Sequence, residues 1–303
     1  MALLTVGLCG AAPVSAAALK PWRAHIREAR KYADTRAGEI SFGVRTRRGL
    51  RGVGVERSVP SASVVKAMLL VAYLRQPEVR GRRLRAGDRA LLGPMIRWSD
   101  NAAASQVCNV VGTAGLERLA RRAHMRRFHA TRPWGLSTID VADQTRFFLN
   151  IDRHLPRRHR RYAMRLLGSI VPAQRWGIAR ERPPGWALYF KGGWGSGTGW
   201  ADHQVALLRR GRRRLSVAIL ITSSPSHAYG NETLRGVAAR LLRGLGRVQR
   251  RVDAEPVGQR AERRALKGDL RQFGRNSRIN RRNTTPSPLL SARAELGCGF
   301  RAR

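Results

Sequence analysis

The sequence predicts a mixed α/β (α+β) fold, in which a five-stranded antiparallel sheet is flanked by helices and joined to an all-helical subdomain. Two segments near the N-terminus alternate apolar and polar residues, as half-buried strands do. Three further β-rich segments lie between residues 186 and 222, and the sequence between the two groups has the apolar spacing of helices. We therefore expect strands from both ends of the chain to form one sheet, with the helical block inserted between them.

The first quarter of the sequence predicts a helix, a β-hairpin and a second helix. The first helix carries apolar residues at helical spacing, the hairpin turns at Gly49, and the second helix is strongly apolar. The predicted bounds are 20–33 for the first helix, 38–45 and 50–56 for the strands, and 64–74 for the second helix.

The remaining elements follow in two groups. Apolar periodicity predicts four helices and then, after a stretch rich in Pro and Arg, three strands and a closing amphipathic helix. Their predicted bounds are 102–111, 116–123, 139–150 and 159–167 for the helices, 186–191, 203–208 and 215–222 for the strands, and 232–245 for the closing helix.

Changes in composition predict the domain boundaries. Residues 1–18 are small and apolar and resemble a secretory signal peptide, although the usual basic n-region is missing. One folded domain is expected over 19–247, with its helical subdomain at about 64–180. Residues 248–303 are basic and lack a sustained period, which predicts a disordered tail. The expected location is therefore secreted, periplasmic or in the cell envelope, with no transmembrane segment after removal of the signal.

The charge of the chain favours anionic partners but does not identify one. The formal net charge is +40, which would attract nucleic acid, anionic lipid or an acidic polymer. Arginine is spread along the whole chain, and no nucleic-acid-reading motif accompanies it, so we do not expect a nucleic-acid partner. The basic tail could bind an anionic cell-envelope polymer, although a solvated extension is the simpler interpretation.

Lysine is rare in this chain, and its positions are therefore informative. Only five of the 59 basic residues are lysine. Arginine keeps its proton in proteins, whereas lysine can be tuned to act as a base. Two of the five lysines lie in short motifs that carry chemistry: Ser63-Val64-Val65-Lys66, Ser99-Asp100-Asn101 and Lys191-Gly192-Gly193, the last followed by Trp194. A helix cap, a loop or a turn would explain each motif singly, but all three in this order favour an active site.

Each motif places a residue type that acyl transfer requires. Residues three apart share a helix face, so Lys66 lies one turn beyond Ser63 and can accept the proton of its hydroxyl. The helix N-terminus near Ser63 also offers free N–H groups to a developing oxyanion. Ser99 is suited to relay a proton to a leaving amine, Asn101 to hydrogen-bond a substrate amide, and Lys191 to attract a substrate carboxylate.

With these motifs, the sequence from about 20 to 245 resembles the class A β-lactamases and penicillin-binding proteins. The resemblance implies a serine hydrolase with its active site between the sheet and the helical subdomain, and an acyl-enzyme formed on Ser63. It implies an oxyanion hole made by the backbone N–H groups of Ser63 and Trp194, with Gly193 in the substrate-binding strand. The expected substrate is a small-molecule β-lactam or a D-alanyl peptide of the peptidoglycan.

The sequence departs from the family pattern at two places. The third motif usually carries a hydroxyl residue between its lysine and its glycine, and here that position is Gly192. Substrate-carboxylate binding would then be weaker, unless Ser196 or Thr198 compensates. The interval 127–136 also lacks the glutamate that activates the deacylating water in class A enzymes, and His129 is the one candidate base there. We therefore expect an enzyme that is acylated by β-lactams but releases them slowly.

Two other functions remain open from the sequence. The first is a related serine esterase or amidase whose substrate has no carboxylate to meet Lys191. The second is a non-catalytic binding module of the cell envelope that uses its basic surface. No cofactor is expected, and the seven histidines have no metal-ligand spacing with cysteines or acids, so no metal is expected either. Cys108 is expected to be a small core residue, and it, Cys9 and Cys298 do not form a disulfide framework.

Overall fold

The computed structural model describes residues 22–196 and 200–246. Five strands form one antiparallel sheet in the order β2-β1-β7-β6-β5, and two short strands, β3 and β4, pair with each other. The strands are β1 Glu39–Thr46, β2 Gly49–Val53, β3 Val59–Pro60, β4 Thr138–Ile139, β5 Ala187–Gly195, β6 Ala201–Arg210 and β7 Arg213–Thr222. The sheet therefore joins strands from both ends of the domain, and the predicted fold class is confirmed.

Helices lie before, within and after the strands of this sheet. Their bounds are α1 Ile26–Ala33, α2 Lys66–Leu74, α3 Pro77–Arg80, α4 Ala86–Arg97, α5 Asn101–Arg122, α6 Val141–Leu149, α7 Ile151–His154, α8 Arg157–Gly168 and α9 His227–Leu242. Among the described residues, 3₁₀ turns occupy Ala62–Val65, Trp134–Leu136, Pro172–Gln174 and Gly177–Ala179. Helices α1 and α9 pack together, α9 also packs on β6 and β7, and α6 packs on β1, β6 and β7.

Helix α2 is the centre of the helical subdomain. All nine of its residues are buried, including Lys66 at its first position. A helix that is apolar on every side is stable only when other elements surround it, and α2 packs against α4, α5 and α8. The 3₁₀ turn before α2 packs on β5, so the start of this buried helix is fixed against the edge of the sheet.

The pairing of β5 with β6 shows which side chains of β5 lie on the same face of the sheet. Lys191 pairs with Val205, Gly193 with His203 and Trp194 with Asp202. Because side chains alternate across a strand, Lys191 and Gly193 share one face of the sheet, and Gly192 and Trp194 share the other. The first face meets the start of α2, and the second meets α9.

Several elements differ from the predictions in extent. The predicted helices 102–111 and 116–123 are one element, α5, with a kink at Gly112, whose φ of 66° only glycine adopts readily. Strand β5 continues four residues beyond its predicted end at 191, so the Lys191 motif lies within the strand rather than at its end. The first helix begins at Ile26 instead of residue 20, and α9 begins at His227, where the Ser226 side chain accepts a hydrogen bond from Tyr229 N.

Some predictions concern residues outside the described ranges. The signal peptide at 1–18, the tail at 248–303, Cys9, Cys298 and Thr198 all lie there. Cys108 is buried in the helical core, as predicted. Across 22–196 and 200–246, no helix has the length and apolar character needed to cross a membrane.

Candidate active site

A cleft of about 430 Å³ opens between the 3₁₀ turn Ala62–Val65 that precedes α2, the N-terminal turns of α5, the 3₁₀ turn Trp134–Leu136 and the end of β5. Ser63 lies in its lining, with Asn101 and Ser105 on one side and Trp194 on the other. A larger hollow of about 870 Å³ lies beside α1 and contains none of the predicted site residues. The cleft is therefore the place to test the sequence-based site.

The nucleophile segment is held tightly against β5. A Cβ atom on Gly193 would come within 2.8 Å of Ser63 N and 2.9 Å of Val64 N. Only a glycine permits this approach, so the glycine of the third motif brings the strand edge against the backbone of Ser63. Ser63 stands in the first turn of its 3₁₀ helix, where N–H groups have no partner within the helix.

Lys66 is completely buried beneath this segment. Its ammonium donates hydrogen bonds to Ser99 O at 2.5 Å, Asn101 Oδ1 at 2.6 Å and Ser99 Oγ at 3.2 Å. The Trp134 ring covers the same amine, with its centroid 4.8 Å from Nζ. Burial lowers the pKa of Lys66 to about 7, although the nearby Asp100 carboxylate opposes that change.

Lys191 approaches the same hydroxyl from the sheet. Its ammonium donates to Ser99 Oγ at 3.0 Å and to Gly192 O at 2.8 Å, and its side chain is fully buried. Burial and the neighbouring Lys66 hold the pKa of Lys191 well below its usual value. Ser99 Oγ therefore bridges two lysines that are 125 residues apart in the sequence.

Two residues of this site have a strained backbone. Ala62 and Ser99 both adopt positive φ angles, 43° and 60°, which non-glycine residues rarely do. Such residues cost about 1–3 kcal/mol each and persist where the surrounding structure fixes them. One precedes Ser63, and the other is the shared partner of Lys66 and Lys191.

The seven residues predicted from the sequence lie together in and beneath the cleft. Ser63, Lys66, Ser99 and Asn101 form what we call the helical wall, and residues 191–194 form the strand wall. Within the described ranges, Lys66 donates no hydrogen bond to the Ser63 hydroxyl and is directed to Ser99 and Asn101 instead. Catalytic hydrogen bonds often form only when substrate is bound, so this geometry is compatible with a base at Lys66.

An aromatic cluster behind the strand wall was not predicted from the sequence. The Trp176 and Trp194 ring centroids lie 5.7 Å apart, and His227 stacks on Trp194 at 5.8 Å. A Cβ atom on Gly192 would come within 3.0 Å of Trp176 Cη2. The space of a side chain at position 192 is therefore occupied by an indole ring.

His227 is fixed by polar partners on both ring nitrogens. Its Nδ1 lies 2.5 Å from Asp202 Oδ1, and its Nε2 lies 3.1 Å from Asn231 Nδ2. Burial raises the pKa of Asp202, while the hydrogen bond from His227 opposes that change. With Nδ1–H donating to Asp202 and Nε2 accepting from Asn231, the ring has no N–H left for a substrate carboxylate.

The described lining of the cleft contains no carboxylate. His129, the one candidate base in the interval 127–136, is 73% exposed and lies 3.5 Å from Glu117 Oε1. It does not line the cleft. Within residues 22–196 and 200–246, no group of three or more His, Cys, Asp or Glu side chains is arranged to hold a metal ion.

Local sequence patterns do not predict the other residues that surround the site. Trp134 lies in the interval 127–136, but the neighbouring sequence does not indicate that its ring covers Lys66. Trp176 and His227 reach Trp194 from segments far apart in the chain, and no local pattern links them.

Comparison with known proteins identifies the class. Residues 80–245 match the model of the β-lactamase enzyme family, which is more than half of the chain. The chain belongs to this family. A comparison with curated protein sequences finds no match.

Solved structures agree with this assignment at the level of the fold. A β-lactamase from Sphaerobacter thermophilus is 18% identical, with a TM-score of 0.64, and the match covers 73% of this chain and 97% of that one. An ancestral class A β-lactamase (GNCA) is 16% identical, with a TM-score of 0.63 and coverage of 72% and 98%. The penicillin-binding protein PBP-A is 16% identical, with a TM-score of 0.61 and coverage of 73% and 95%.

Proposed function

We propose that this protein is an exported serine hydrolase that forms an acyl-enzyme on Ser63 with β-lactams or D-alanyl-peptide-like amides, and releases the acyl group slowly. The observation that carries the proposal is the buried Lys66 amine, which lies one helical turn from Ser63 and shares the Ser99 hydroxyl with Lys191. A base with a pKa of about 7 suits proton transfer at neutral pH. The predicted signal peptide supports export.

Acylation follows from these positions. The Ser63 hydroxyl attacks the amide carbonyl while its proton passes to neutral Lys66. The oxyanion is stabilised by the backbone N–H groups of Ser63 and Trp194. The C–N bond then breaks, Ser99 gives its proton to the leaving nitrogen, and the Lys66 ammonium returns a proton to Ser99 Oγ, 3.2 Å away. This sequence leaves an ester on Ser63 and a neutral Lys66.

The composition of the cleft supports slow release. Hydrolysis of the ester needs a base to activate water, and no carboxylate lies in the described lining. His129 is turned to solvent beside Glu117 and offers no substitute.

A related esterase or amidase for substrates without a carboxylate is the second candidate. The observation that favours it is Trp176, which occupies the side-chain space of Gly192, where a hydroxyl would assist a carboxylate. Lys191 is fully buried and already engaged, so it offers little to a carboxylate in the cleft.

The test is incubation of the mature protein with benzylpenicillin, followed by intact mass spectrometry over time beside the Ser63→Ala variant. We expect a lasting adduct on the wild-type protein only. Free penicilloate without a lasting adduct would instead indicate an efficient β-lactamase and contradict slow release. Turnover of a small neutral ester without a penicillin adduct would select the second candidate, and inertness to both would leave the non-catalytic module.

A further inference from the structure

Hydrogen bonds hold the turn that carries Trp134 to two segments, the one just before Ser63 and helix α5. The Ser61 hydroxyl, two residues before the nucleophile, lies 3.5 Å from Trp134 O and 3.3 Å from Gly135 O. On the other side, the indole Nε1–H donates to Ser105 Oγ of α5 at 3.2 Å. Ser61 N also donates to Ser137 O at 2.8 Å, so the turn that carries the ring is fixed to the nucleophile segment.

This ring is what separates the Lys66 amine from the cleft. The acceptors of Lys66 come from Ser99 and Asn101, and the Trp134 ring lies over the amine at 4.8 Å. Trp134 lines the cleft while Lys66 does not, and Lys66 has no exposed surface. Water in the cleft therefore meets the indole before it can reach the amine.

We propose that Trp134 is a positioning residue that seals the Lys66 amine from the water of the cleft, and so favours formation of the acyl-enzyme over its hydrolysis. A sealed lysine loses hydration of its charged form and becomes a base near neutral pH. The same seal keeps a water molecule from reaching the base that would activate it. The effect on hydrolysis of the acyl-enzyme rests on the proposed function, whereas the effect on the pKa of Lys66 does not.

The two influences of an indole on a lysine act in opposite directions. Its π face attracts the ammonium, which raises the pKa. Its exclusion of water disfavours the ammonium, and full burial can lower a lysine pKa by about 3–5 units. Desolvation is the larger effect here, because the Lys66 side chain has no exposed surface. The other charged groups that face Lys66 are Asp100 and Lys191, and neither changes when Trp134 is replaced.

The first experiment measures the pKa of Lys66 and does not depend on enzymatic activity. The chain has only five lysines, so ¹³Cε-lysine NMR can follow Lys66 directly, with its signal identified by its loss in Lys66→Met. We expect the titration midpoint to rise from about 7 to above about 8 in Trp134→Ala, and to stay near the wild-type value in Trp134→Phe. An unchanged midpoint in Trp134→Ala would overturn the proposal.

The matched control is Trp22→Ala, which removes a tryptophan whose indole also donates one hydrogen bond, to Arg243 O, away from the cleft. It should leave the Lys66 midpoint unchanged. If Trp134→Ala does not fold, Ser105→Ala loosens the indole by removing its acceptor, and its midpoint should rise in the same direction by less. A midpoint that stays at the wild-type value in Ser105→Ala would then count against the seal.

The second experiment measures the lifetime of the acyl-enzyme by intact mass after excess penicillin is removed. We expect the lifetime to fall by about tenfold in Trp134→Ala and to recover in Trp134→Phe. A wild-type protein that forms no adduct would refute the proposed function, while the NMR titration would still decide the seal. A lifetime that is unchanged while the midpoint moves would refute the exclusion of hydrolytic water.

Discussion

The two walls of the cleft differ in how fully they match the chemistry of their family. The helical wall has its nucleophile and a buried lysine, and that lysine lies within hydrogen-bond distance of the bridging serine, Ser99. The strand wall keeps its lysine and the glycine that touches Ser63, but it has an indole where a hydroxyl would bind substrate. Under the proposed function, the difference means that formation of the ester and recognition of the substrate are assigned to different elements, the first to the helical wall and the second to the strand wall.

The largest expected effect comes from removing the base of the helical wall. Lys66→Met should slow acylation of Ser63 by about 10²–10⁴-fold, since general-base catalysis contributes that much. Stopped-flow measurement of acylation with a chromogenic β-lactam would check it. Lys31→Met, at an exposed lysine of α1, is the matched control and should leave the rate unchanged. Equal rates in the two variants would remove Lys66 from the mechanism.

The same variant should be more stable than the wild type, with a defined pH dependence. The pKa of Lys66 is about 7 in the folded protein, below its usual value of 10.5. Burial of the ammonium therefore costs stability fully below pH 7, and the cost is relieved as the pH rises toward 10.5. The gain from Lys66→Met should shrink by about 3 kcal/mol between pH 6 and pH 9 in urea unfolding. A gain that is independent of pH would contradict a buried charged lysine.

The next largest effect tests the contact between the two walls. Gly193→Ala would bring a Cβ atom within 2.8 Å of Ser63 N, so the nucleophile segment has to shift. We expect acylation to fall by about 10²-fold, the cost of a misplacement of about 1 Å. Gly81→Ala is the control, because no atom lies within 4 Å of its added Cβ. Thermal unfolding of both variants would separate a local shift from a general loss of stability.

The smallest expected effect concerns recognition of a substrate carboxylate by the strand wall. Gly192→Ser alone should gain little, because its Cβ would meet the Trp176 ring at 3.0 Å. The double variant Gly192→Ser with Trp176→Ala makes room for the hydroxyl. It should raise kcat/KM for a carboxylate-bearing phenylacetylglycyl thioester over its neutral methyl ester by about tenfold, the worth of one hydrogen bond to a charged group. An unchanged ratio would mean that position 192 does not select for the carboxylate.

Much of the helical wall was predictable because its geometry is local. A separation of three residues places Ser63 and Lys66 on one helix face wherever that helix lies. The strand wall was predictable only in part, because the extent of β5 depends on pairing with β6 and not on its own glycine-rich sequence. The cluster of Trp176, Trp194 and His227 was not predictable, since its members come from three segments that only the packed sheet and α9 bring together.

The sequence by itself determined the α/β class, the order of the main strands and helices, and seven of the residues that lie in and beneath the cleft. These follow from apolar periodicity and from spacings within single elements, which any packing preserves. The tertiary structure alone decided that both lysines are buried, that Ser99 joins them, that Trp134 covers one of them and that Trp176 fills the space beside Gly192. The physical reason is that burial, and therefore the charge state of a lysine, depends on contacts between segments far apart in the chain.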